Sequence, residues 1–116
     1  MTTNTPVSPR LEKVGQAIMH ELSQLLIREV EDKALKLVQL TKVIVTKDLK
    51  QAKVYFVIAD PSKDLATTLK HFKRAAPWFR FEIAKRMELR VTPELKFFYD
   101  ESREKVQQIL TLLNKI

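Results

Sequence analysis

The spacing of apolar residues changes period repeatedly along this chain, and the order of those periods restricts the available folds more than any other feature. Leu11, Val14, Ile18, Leu22, Leu25, Leu26 and Val30 recur at intervals of three and four, which lines one side of an α-helix. The interval then falls to two. Ala52, Val54, Phe56 and Ile58 alternate with Lys53, Tyr55 and Val57, which puts the two sets on opposite faces of a β-strand. Val38 to Thr46 is rich in β-branched residues and reads as the preceding strand. Its alternation slips phase between Leu40 and Val43, which predicts either late pairing or a bulge near Thr41. Lys47 to Lys50 has the length of a hairpin connection.

Helical spacing returns at Leu65, Leu69, Phe72 and Ala76, and again at Phe79, Ile83 and Met87. Between these groups lies Ala75-Ala76-Pro77, where proline removes an amide donor and crowds the preceding turn, so the spacing predicts two helices with a kink. Glu94 to Tyr99 reads as a third strand. Val106, Ile109, Leu110, Leu113 and Ile116 form the stripe of a last helix. Helix starts are marked by Ser8-Pro9, by Ser62 as an N-cap and by Asp100-Glu101-Ser102. Residues 1–7 have no periodicity and are expected to be disordered, leaving residues 8–116 as one domain. The predicted class is α+β in the order α-β-β-α-(kink)-α-β-α, with a three-stranded sheet, helices layered on one face, and the other face open.

Charge is unevenly placed. The segment Lys70 to Arg90 holds Lys70, Lys73, Arg74, Arg80, Lys85, Arg86 and Arg90 against Glu82 and Glu88, and so supplies +5 of a formal net charge of +7. Residues 65–81 contain no acid at all, whereas residues 1–60 are nearly balanced, with nine basic and seven acidic side chains. Like charges at helical spacing repel unless counterions or phosphates lie over them, which makes these seven residues the candidate contacts to a polyanion. The competing reading is a solvated face. Trp78, beside Phe79, has the ring either to stack on a base or to cap the core where two helices part, and the second is the expectation. A membrane surface would use similar residues, but here the apolar stripe is claimed by the fold.

Several function classes are excluded. Gly15 is the one glycine, and phosphate-cradling loops need several. The absence of cysteine removes disulfide frameworks, thiolate zinc sites and cysteine nucleophiles. His20 and His71 fall in separate helices with no matching nucleophile, so no catalytic residue is assigned and an enzyme is not expected. Glu29, Glu31 and Asp32 crowd the end of the first helix, where fraying into the next loop accounts for them better than a metal does. No metal, cofactor or small-molecule substrate is expected. MTTNTPVSP has neither the charge nor the apolar run of a signal peptide, and no run approaches the ~18 apolar residues needed to span a bilayer. A soluble cytoplasmic protein is the expectation.

One set of motifs carries a resemblance. Asp48-Leu49, Ala52-Lys53-Val54-Tyr55, Arg80, Leu89-Arg90 and Pro93-Glu94-Leu95-Lys96-Phe97-Phe98-Tyr99-Asp100 with Ser102 make the chain similar to bacterial ribosome-binding factor A over roughly residues 8 to 116. The run ELRVTPELKFFYDES is the most specific piece. The resemblance implies a type II KH-like domain. KH domains grip nucleic acid through a Gly-x-x-Gly loop, which this chain lacks; the resembled family has an Ala-x-Gly kink there, and Ala75-Ala76-Pro77 falls at that position with proline in place of glycine. It further implies a non-catalytic monomer that binds the immature small (30S) ribosomal subunit and its 16S rRNA, assists late rRNA processing, particularly in the cold, and leaves before translation. Two other readings stay open on the residues alone: a general KH-like binder of single-stranded nucleic acid, and a protein-interaction module using the open sheet face.

Overall fold

The period-two residues of 51–58 form the centre of the molecule. In the computed structural model, which describes residues 9–60 and 64–114, strand β2 (Gln51–Ile58) is the middle of a three-stranded sheet. Strand β1 (Val38–Val45) pairs with it antiparallel, and β3 (Glu94–Tyr99) pairs with its other edge in parallel. The β1–β2 register shifts between Leu40 and Lys42, so Thr41 is the bulged residue that the phase slip predicts. In the hairpin turn, Asp48 Oδ1 accepts from Thr46 Oγ1 at 2.7 Å and from the Lys50 amide at 3.0 Å. Leu49 takes a left-handed φ of 61° that a glycine-rich chain would give to glycine.

Helix α1 (Pro9–Arg28) and helix α2 (Leu65–Met87) cover one sheet face, and a short 3-10 turn (Lys33–Leu35) follows α1. Ala52, Val54 and Phe56 point into this layer and are fully buried with Ile18, Leu22, Leu25, Phe72, Phe79 and Ile83. Phe72 is the hub: its ring stacks on Phe97 at 4.3 Å between centroids and contacts Phe56 at 4.9 Å and Phe79 at 6.3 Å. This is the α+β, type II KH-like arrangement expected from the order of periods. The expected N-caps Ser8 and Ser62, and the expectation of disorder over 1–7, lie outside the described residues. At α2 the capping side chain is Asp64, whose Oδ1 accepts from the Ala66 amide at 3.2 Å and whose Oδ2 accepts from Thr67 Oγ1 at 2.9 Å.

Gly15 is required by close approach. A Cβ built there would lie 2.7 Å from the Val43 carbonyl oxygen of β1, closer than van der Waals contact permits. Gly15→Ala gains up to about 1 kcal/mol of helix propensity but overpacks against sheet backbone, at about 1–3 kcal/mol. The expected net result is a thermal midpoint several degrees lower, read by circular dichroism; an unchanged or raised midpoint would mean that α1 lifts off β1 at no cost.

Two sequence expectations are corrected. The break at Ala75, Ala76 and Pro77 does not divide the helix, because α2 runs as one element from Leu65 to Met87 with Pro77 inside it. Proline in a helix interior costs about 3 kcal/mol, but Pro77 and Lys73 are both exposed, so water can bond the Lys73 carbonyl that loses its donor. Phe72 and Phe79 anchor both sides of the proline in the core. The second correction concerns α3 (Ser102–Asn114), whose stripe fits a helix layered on the sheet. Val106, Ile109, Leu110, Leu112 and Leu113 are instead 48–63% exposed, so α1 and α2 alone make the covering layer among the described helices. Ile116, the last member of the predicted stripe, lies outside the described residues.

The bulge and the start of α3 meet at Asp100, which is buried. Its Oδ2 accepts from Thr41 Oγ1 at 2.6 Å, and its Oδ1 accepts from Ser102 Oγ at 2.6 Å and the Ser102 amide at 2.9 Å. The Ser102 hydroxyl, then Thr41 and the Ser102 amide, favour the charged form and hold the carboxyl at about 2, below its ordinary 3.8. A depressed carboxyl pKa contributes stability that is present above the unfolded value of 3.8 and is lost as pH falls toward 2. That contribution is about 2 kcal/mol. Asp100→Asn is expected to lower unfolding free energy by about 1–3 kcal/mol at neutral pH, with the gap closing as pH falls through that window. A gap independent of pH, measured by denaturant titration, would contradict this.

Candidate nucleic-acid interface

Because Phe72, Phe79 and Ile83 turn one side of α2 into the core, the opposite side must face solvent, and it carries the cations. Lys70, Lys73 and Arg74 are exposed on consecutive turns, and Pro77, Phe81 and Lys85 continue the same face. None of Lys70, Lys73, Arg74 and Arg90 makes an ion pair or side-chain hydrogen bond with a described residue. Asp32 offsets part of the charge on Arg74, but no described acid is paired with Lys70, Lys73 or Arg90 to offset the repulsion within this surface.

The other three predicted cations are engaged. Arg80 donates from Nε and Nη2 to the Thr92 carbonyl at 3.2 and 2.9 Å, holding the connection from α2 to β3. Arg86 reaches the inner side of α2, where it pairs with Glu29, just past the end of α1, and lies 3.7 Å from Glu82. Lys85 Nζ lies 3.4 Å from Glu82 Oε2 and 5.2 Å from the centre of the Phe81 ring. Glu82 is buried, and these two cations are its counterions. The sequence-predicted residues thus separate into a free group at Lys70, Lys73, Arg74 and Arg90 and a framework group at Arg80 and Arg86, with Lys85 at the margin. His71 faces away from the free group: its Nδ1 lies 2.6 Å from Asp32 Oδ2. A carboxylate can only accept, so Nδ1 carries the proton, and the bond from His71 holds the Asp32 carboxyl below its ordinary value. The acids at the end of α1 therefore serve as helix ties, Glu29 to Arg86 and Asp32 to His71.

Aromatic surface accompanies the charge. Phe81, absent from the sequence-level candidates, is 61% exposed. The signal was available: Phe81 is two residues out of phase with both Phe79 and Ile83, and a two-residue step on a helix turns a side chain to the far side. Trp78 is 40% exposed and contacts Phe79 edge-on at 5.2 Å, so its ring touches one core residue and leaves surface open to solvent. Beside the helix, a groove of about 840 Å³ runs between α2 and the free edge of β3, with Lys73, Pro77, Arg80 and Phe81 on one wall and Lys96 and Phe98 on the other. The surface offers unpaired cations, exposed ring faces and an apolar trough, a combination suited to a flexible polyanion with stackable bases.

Comparison with known proteins decides the lineage. The profile described as Ribosome-binding factor A matches residues 10–113. The chain belongs to the ribosome-binding factor A family. Ribosome-binding factor A from Thioalkalivibrio sulfidiphilus is 38% identical over 106 residues, covering 91% of this chain and 82% of the relative. The crystal structure of ribosome-binding factor A from Thermus thermophilus shares the fold with a TM-score of 0.69 at 22% identity, over 77% of this chain and 94% of the other. A homology model of the Thermus thermophilus factor, as fitted into the cryo-EM map of a 30S complex, aligns with a TM-score of 0.55 at 24% identity, over 73% of this chain and 93% of the other. None of the described helices is long and apolar enough to cross a membrane.

Proposed function

We propose that this protein is a cytoplasmic, non-catalytic assembly factor that binds the immature 30S ribosomal subunit as a monomer and contacts 16S rRNA through the outer face of α2. Lys70, Lys73 and Arg74 contact phosphates directly, Lys85 and Arg90 extend the field, and Arg80 and Arg86 hold the helix and the following loop in place. Ala75 packs against the core, whereas Ala76 and Pro77 line the groove beside this face, where a small side chain and a proline let a nucleic-acid backbone approach the helix without a glycine loop. The observation that carries this reading is the cluster of cations without a salt-bridge partner among the described residues, beside exposed Trp78 and Phe81, in a chain of this family. The fitting of a structural neighbour into a 30S complex supports the choice of subunit.

Such a factor assists late 16S rRNA processing by favouring one rRNA arrangement. Only contacts made to the immature form and lost in the mature one can drive maturation and release. The need is greatest in the cold, where misfolded RNA helices exchange slowly. Crosslinking in growing cells followed by sequencing of the attached RNA is expected to return a focused 16S footprint; reads scattered over unrelated messages would instead make it a general binder of single strands.

A further inference from the structure

The sheet face turned away from α1 and α2 is not covered by them, and the register arranges it in rows. Lys42, Tyr55 and Phe98 lie side by side across β1, β2 and β3, and Ile44, Lys53 and Lys96 form the next row. Tyr55 and Phe98 stack with centroids 5.5 Å apart and planes 29° from parallel, and Phe98 and Ile44 are 42% and 43% exposed. Lys42 Nζ lies over the Tyr55 ring at 4.6 Å. Glu94, already paired with Lys96 at 2.8 Å, is the one carboxylate in the three strands. The face therefore presents two adjacent rings bordered by three lysines, of which Lys96 is paired with Glu94 and Lys42 also feels the Asp100 carboxylate.

We infer that this open sheet face is a second RNA-binding surface, on which Tyr55 and Phe98 stack successive unpaired bases while Lys42, Lys53 and Lys96 meet the flanking phosphates. Stacking on sheet aromatics tolerates any base, because every base has a π-face. An exposed cation–π contact is weaker than base stacking, so Lys42 is free to leave Tyr55 for a phosphate when a base arrives. Three lysines around the rings are unlike the centre of an ordinary protein interface, which is depleted in lysine. Continuity favours the same ligand: Phe98 also lines the groove beside α2, so one strand can leave the helix, cross the edge of β3 and continue over the sheet. The ligand class rests on the RNA reading above; Phe98 and Lys96 are shared with the groove beside α2, whereas Lys42, Lys53 and Tyr55 lie outside it.

The test uses the full chain with short single-stranded oligo(A), followed by fluorescence anisotropy at fixed salt and by NMR of the Tyr55 and Phe98 ring protons. Phe98→Leu keeps apolar volume and removes the π-face, and is expected to weaken binding about tenfold without changing the salt slope. Phe98→Tyr restores affinity. Both ring systems shift on titration in the parent, and the thermal midpoint stays near that of the parent. Parental affinity in Phe98→Leu together with unmoved ring protons would overturn the proposal, as would sedimentation showing a parental dimer that Phe98→Leu dissolves. A Lys70→Gln/Lys73→Gln/Arg74→Gln variant separates the two readings. If it alone loses affinity, the sheet site fails and the helix site stands; if Tyr55→Leu, outside the groove beside α2, alone loses affinity, the reverse holds.

Discussion

Phe72→Ala is expected to remove about 3–5 kcal/mol of folding free energy, the range for deleting a fully buried phenylalanine from a packed core. Phe72 has no solvent exposure and is the residue through which α2 meets both β2 and β3. Its loss leaves a cavity walled by Phe56, Phe79 and Phe97, and a sheet on one side prevents full collapse. Small domains hold only about 5–15 kcal/mol in total, so the variant should melt at a temperature lower by on the order of 15 °C or more. The contrast is Phe81→Ala on the same helix. Phe81 is 61% exposed, and its truncation should change stability by no more than about 0.5 kcal/mol while weakening RNA binding. A Phe72→Ala loss below about 1 kcal/mol in denaturant unfolding would mean that the aromatic hub does not organise the core.

The second large effect concerns affinity. Neutralising Lys70, Lys73 and Arg74 together to glutamine removes three exposed cations that make no ion pair with a described residue, and the relief of repulsion offsets the lost attraction between Arg74 and Asp32, so folding should change little. Binding to single-stranded RNA should fall about tenfold to a hundredfold, at roughly 0.5–1 kcal/mol for each exposed charge pair. The slope of log affinity against log salt should flatten by about 2, since each lost phosphate contact on a single strand contributes about 0.7. Arg80 and Arg86 are poor choices for the same experiment. Arg80 holds the Thr92 carbonyl and Arg86 neutralises Glu82 and Glu29, so their removal would confuse lost folding with lost binding.

What could be read from the residues followed from how local each determinant is. The β2 alternation, the Thr41 bulge and the turn role of Asp48 each depend on a few neighbouring positions and are visible in them. Pro77 was misleading because its penalty is local whereas its compensation is not: Phe72 and Phe79 are held by the sheet, and that packing carries the helix through the proline. The stripe of α3 has the same spacing as that of α1, yet only α1 has a sheet face opposite it. Periodicity states that a helix has an apolar side, not what covers it. Among the basic residues, composition located the segment but could not distinguish Lys73 from Arg86, because the difference is whether Glu29 and Glu82 lie within reach. Phe81 was legible from its helical phase and Tyr55 from its alternation, but the pairing of Tyr55 with Phe98 was not, because it depends on the register between β2 and β3.

Co-sedimentation of the Lys70→Gln/Lys73→Gln/Arg74→Gln variant with immature 30S subunits tests the central claim most directly. The account predicts that the folded variant stays in the supernatant at salt concentrations where the parent pellets with the subunits. Pelleting equal to the parent across the salt range would contradict an interface on the outer face of α2.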